Sequence, residues 1–156
     1  LETLPPQPNI GTGVSVFWML RTMGSANAPA YFAQIAAAIV AMGLVYRAWQ
    51  KPDAEPLARM GLTVCLSLLI TPYGYTSDMV AYSIAVTVIV ANNQWKLRLI
   101  DVLLWLWPAY CPIVTFLSGV LFTPVVIAIA AALAWAQMGR PSLYPERRTR
   151  QAAQLA

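Results

Sequence analysis

The stretch Thr71-Pro72-Tyr73-Gly74-Tyr75-Thr76-Ser77-Asp78 concentrates groups able to engage a polar ligand. A carboxylate beside phenol rings suits a sugar or a lipid headgroup: Asp78 accepts hydrogen bonds from hydroxyls, while the faces of Tyr73 and Tyr75 pack against C–H surfaces. The same carboxylate suits the start of a helix, where it complements the dipole, and spacing alone does not separate the two roles. Arg21 follows Phe17, Trp18 and Leu20 on a short apolar stretch. It either snorkels to lipid headgroups or offers its fork of donors to a lipid phosphate. Asp101 lies three residues past Arg98, which makes it a helix-start acid in a local ion pair.

Other chemistry is excluded. The chain has no histidine, which removes the commonest metal ligand and the commonest general base at neutral pH. There is no glycine-rich phosphate loop, no metal-ligand cluster and no paired nucleophile and base, so neither a cofactor nor a metal is expected. Cys65 and Cys111 lie in or beside apolar runs and read as small hydrophobes. Nucleic acid is not an expected partner, because the net charge of +4 comes from basic residues beside apolar runs rather than from a stripe with stacking aromatics.

The elements that carry these residues are apolar helices. Of the 156 residues, 59% are hydrophobic and 10% charged, whereas a soluble domain carries about a quarter charged residues. The apolar runs approach the ~20 residues that cross a bilayer. The expected architecture is an all-α polytopic transmembrane bundle with spans at about 29–49, 57–70, 77–91, 97–110 and 117–138. Residues 1–27 form an outer loop with an interfacial helix over Val14 to Met23, and 140–156 a basic cytoplasmic tail. Asn27 and Pro29 mark a helix start. Pro108 and Pro112 are expected to break the fourth span, with outside turns at 71–77 and 111–117.

The second and third stretches are short and could form one tilted helix or a re-entrant pair; charge decides for two crossings. With five spans, Arg47, Lys51, Arg59, Lys96, Arg98, Arg140, Arg147, Arg148 and Arg150 fall on one side, nine of the ten basic residues, and Arg21 on the other. The positive-inside rule makes the crowded side cytoplasmic. Trp49, Trp95 and Trp135 lie near the cytoplasmic ends, where indole favours the interface, while Trp105 and Trp107 fall deeper and read as packing residues. Small residues in Ala33 to Ala41 and Ala128 to Ala136 would allow close helix approach.

The segment Thr71-Pro72-Tyr73 with Asp78-Met79 resembles a motif of glycosyltransferase family 87, in which Thr-Pro-Tyr precedes Tyr-Asp-Met or Tyr-Asp-Leu between two short apolar helices. Ser77 stands where that family carries tyrosine. The segments Val14 to Gly24 and Val45 to Trp49 resemble its Val-Phe, Leu-Arg and Gly segment and its basic span end, so the likeness covers about 8–140. The resemblance implies a GT-C transferase of a bacterial inner membrane that moves a hexose, often mannose, from a polyprenyl-phosphate sugar donor to a lipid or polysaccharide acceptor on the outer side. It implies substrate-side roles for Asp78, Tyr73, Tyr75 and Arg21. In such enzymes the catalytic base lies in an early outer loop, so further sequence before Leu1 is expected to hold it, and this chain alone is expected to be inactive. The competing expectation is a transporter or lipid-linked-sugar flippase without catalysis, or a purely structural subunit.

Overall fold

The computed structural model describes residues 13–72, 74, 76–93 and 96–139. Among them the fold is all-α, with six helices: α1 (Val16–Thr22), α2 (Asn27–Trp49), α3 (Pro56–Ile70), α4 (Met79–Asn92), α5 (Leu99–Ser118) and α6 (Thr123–Gln137). A 3-10 turn, Thr76–Asp78, leads into α4.

Helix ends follow local chemistry. Ser15 caps α1 by accepting from Trp18 N, and Glu55 caps α3 by accepting from Ala58 N with Pro56 in the first turn. Asn27 is not the cap of α2: Ala26 takes that extended position and Asn27 is the first helical residue. Helix α5 ends at Gly119, whose φ of 70° lies in the left-handed region.

The expected break at Pro108 and Pro112, and the expected turn at 111–117, are displaced. Helix α5 runs through both prolines to Ser118, and the turn falls at 119–122. Pro112 has no N–H for the Pro108 carbonyl, and the Cys111 thiol bonds that carbonyl instead at 3.7 Å. A local donor of this kind is what lets an apolar helix tolerate proline. The Tyr110 hydroxyl donates to the Leu103 carbonyl at 2.6 Å in the same region.

Consecutive helices alternate in direction from α2 to α6. Helix α3 packs most extensively on α6 and then on α4 and α2, while α5 rests mainly on α4. The core therefore consists of α3, α4 and α6, with α2 and α5 flanking it. At one end, Glu55 N donates to Met138 O at 3.2 Å, and Asn92 Nδ2 donates to Gln137 Oε1 at 3.1 Å. That end gathers Arg47, Lys51, Arg59, Lys96 and Arg98. At the other end, Leu121 N donates to the Thr22 hydroxyl at 3.1 Å and ties α1 to the start of α6.

Helices α2 and α5 are long and apolar enough to cross a membrane by length and composition, with only 17% and 22% of their most apolar windows buried. Much of the apolar surface of these two helices is therefore exposed at the flanks of the bundle. Helices α3, α4 and α6, at 15, 14 and 15 residues, fall short of the ~17–25 residues of a typical span.

Trp105 and Trp107, both expected to pack, differ. Trp107 is buried and donates to the Thr123 hydroxyl at 3.2 Å, while Trp105 is 53% exposed and reaches the Thr87 hydroxyl at 3.1 Å. Trp107→Phe removes the buried bond between α5 and α6. It should cost about 0.6–1.7 kcal/mol, seen as a lower thermal midpoint in detergent, with Trp105→Phe having the smaller effect.

Candidate functional site

Three hydrogen-bonded ties hold the turn after α3 against the chain's beginning. Thr71 leaves α3 in an extended conformation. The Ser15 hydroxyl donates to Pro72 O at 2.7 Å, and Val14 N donates to Gly74 O at 2.9 Å. The third tie is Gln34 of α2, which is 3% exposed. Its amide nitrogen donates to Leu69 O at 2.8 Å and Ile70 O at 3.1 Å, and its amide oxygen accepts from Phe17 N at 3.0 Å. One side chain thus satisfies the unpaired end of α3 and the unpaired beginning of α1, which no intrahelical bond can do.

Glycine at position 74 is required by close approach: a Cβ there would stand 2.7 Å from Val14 Cγ2. The same Cβ would lie 3.7 Å from Asp78 Oδ2, so the Asp78 carboxylate sits beside the tied turn. Asp78 is exposed and occupies the N-cap position of α4 without a side-chain capping bond. The helix-capping role open to it from sequence is therefore not the one it adopts. Tyr73 and Tyr75 lie outside the described residues. Arg21 is partly buried and donates to Ser25 O at 2.7 Å. Ser15 and Arg21 stand at opposite ends of α1, ~9 Å apart along its axis at ~1.5 Å per residue. The turn and Arg21 share the α1 end of the bundle.

The turn stands at the α1 end of the bundle, where Gln34, seven residues past the start of α2, meets the last carbonyls of α3. Polar residues with exposed side chains there, Ser77 and Asp78, can hydrogen-bond a ligand. Among the described residues no group of His, Cys, Asp or Glu is placed to hold a metal.

At the basic end Asp101 is 2% exposed and pairs with Arg98 in a two-pronged bond, Nε to Oδ2 at 3.0 Å and NH2 to Oδ1 at 2.8 Å. This is the local ion pair expected from the spacing. Gln34 is the residue that sequence reasoning missed. Its signal was a lone amide inside the apolar run Ala30 to Leu44, which must find partners within the protein.

Gln34→Leu should leave Phe17 N and the α3 carbonyls unpaired at a cost of about 1–3 kcal/mol. Hydrogen exchange should report it, with amide protection falling at Val14 and Phe17 and holding in α4. Gly74→Val should loosen the same segment through its clash with Val14.

No family model, curated protein or solved structure matches the chain.

Proposed function

We propose that this chain is a five-span membrane bundle that holds a lipid-linked sugar at its α1 end, as part of a hexosyltransferase acting on the outer side. The observation that carries the reading is the turn tied by Ser15, Val14 and Gln34, with the exposed Asp78 carboxylate beside Gly74. A polar turn between apolar helices is costly in lipid unless it reaches the interface, lines a cavity or meets a polar ligand. Gathering Arg47, Lys51, Arg59, Lys96 and Arg98 at the opposite end supports a cytoplasmic assignment there and an outer assignment for the turn.

In this reading Asp78 accepts hydrogen bonds from sugar hydroxyls and Tyr73 and Tyr75 supply aromatic faces. Arg21, at the same end of the bundle, meets a lipid phosphate. Hexosyl transfer from a polyprenyl-phosphate donor to a lipid or polysaccharide acceptor is what the resemblance to glycosyltransferase family 87 adds. Asp78 is assigned to binding, not to deprotonating the acceptor. A flippase would require polar groups along a path through the midplane. The buried amides Gln34, Asn92 and Gln137 instead lie toward the two ends of the bundle and are paired within the protein.

The test is hexosyl transfer by the full-length membrane protein in vesicles supplied with polyprenyl-phosphate mannose. Asp78→Asn should raise KM about tenfold or more, the loss of one charged hydrogen bond, and leave kcat within about twofold. Unchanged KM and kcat would remove Asp78 from the sugar site. Movement of the donor across the vesicle without transfer would establish the flippase reading.

A further inference from the structure

A groove of about 580 Å³ runs along the bundle, walled by α2 and α6 and floored by α3, a volume within the range of small-molecule sites. Its lining is apolar throughout, and it is continuous from Val16 and Met19 of α1 to Trp135 of α6. The two ends differ. At the α1 end the groove is closed by α1, which the Thr22 to Leu121 bond holds against the start of α6. At the other end Trp135 forms part of the lining, and the Lys51 ammonium stands 4.6 Å from the centre of its ring.

We infer that this groove seats one hydrocarbon chain of an anionic phospholipid from the basic-side leaflet, with the headgroup phosphate held by Lys51 and Arg47. The inference is independent of the sugar site, which lies at the opposite end.

Length supports a single chain. From Val125 to Trp135 the groove follows ~15 Å of α6, about half of the ~30 Å hydrocarbon core, which is the depth of one leaflet. Charge supports the headgroup. The lining positions Val40 and Leu44 continue along the same face of α2 to Arg47, one turn beyond Leu44. Arg47 and Lys51 are both exposed. Asp53, in the same turn, subtracts one charge, while the carboxylate of Glu55 is turned inward as the cap of α3. The net charge at the open end is positive, and the lipid chosen is therefore anionic. The Lys51 ammonium over Trp135 joins the two halves, since the indole lines the apolar channel with the cation beside it.

The test reads retained lipid by native mass spectrometry on the full chain taken from nanodiscs of equimolar phosphatidylglycerol and phosphatidylcholine. The wild type should hold one lipid, phosphatidylglycerol, in preference to phosphatidylcholine. Lys51→Gln should reduce that preference about fivefold, the contribution of one basic residue near an anionic surface, with the amount of bound lipid unchanged. Ala132→Phe, at an exposed groove position, should expel both lipids. Equal retention of the two headgroups by the wild type would overturn the inference. So would full retention by a folded Ala132→Phe protein, displacement of phosphatidylglycerol by equimolar undecaprenyl phosphate, or a dimer whose second copy crosslinks through Ala132→Cys.

Discussion

A buried helix end has no water to bond, and at the α1 end of this bundle that constraint is met by one side chain. Gln34 bonds Leu69 O, Ile70 O and Phe17 N together. Through these contacts α2 fixes both where α3 stops and how α1 enters, and the position of the 71–78 turn follows. Ser15 and Val14 add the backbone ties that bring the turn onto the start of α1. The opposite end uses the same device in another form, with Glu55 capping α3, its backbone bonding α6, and Asn92 paired with Gln137.

Unequal helix length gives the bundle its two faces. The shorter α3, α4 and α6 pack as a core, and the longer α2 and α5 flank them. At the α1 end the tied turn exposes the polar side chains of Ser77 and Asp78. Between α2 and α6 the alanine-rich surfaces leave a channel rather than a contact, because each wall packs on α3 instead of on the other. One end of the molecule thus presents polar groups and the other basic ones, with an apolar channel between them.

Much of this was legible from residue types. The all-helical class followed from long apolar runs with few charges, and the pairing of Asp101 with Arg98 followed from their spacing. The course of α5 was not legible, because Pro108 and Pro112 read as breaks on local rules, and the Cys111 thiol that bonds the carbonyl left open by Pro112 acts only once the helix has formed. Gln34 was not singled out for a related reason. An amide in an apolar run announces that it needs partners, but its partners were backbone groups of two other helices, and backbone carries no residue signature. Asp78 was correctly placed at a helix start, while its lack of a capping bond depends on a 3-10 turn that sequence does not mark.

The pairing of α3 with α6 has a consequence for synthesis. The helix that buries the largest face of α3 is the last of the six to be made, and α4 and α5 emerge between them. At roughly 5–20 residues per second, α3 waits several seconds beside α2 and α4 with that face uncovered. The bundle therefore closes in one late event, when α6 arrives and its C-terminal turn meets Glu55 and Asn92. Until then Asn92 has no Gln137 to bond, which makes this amide pair a latch set by the order of translation.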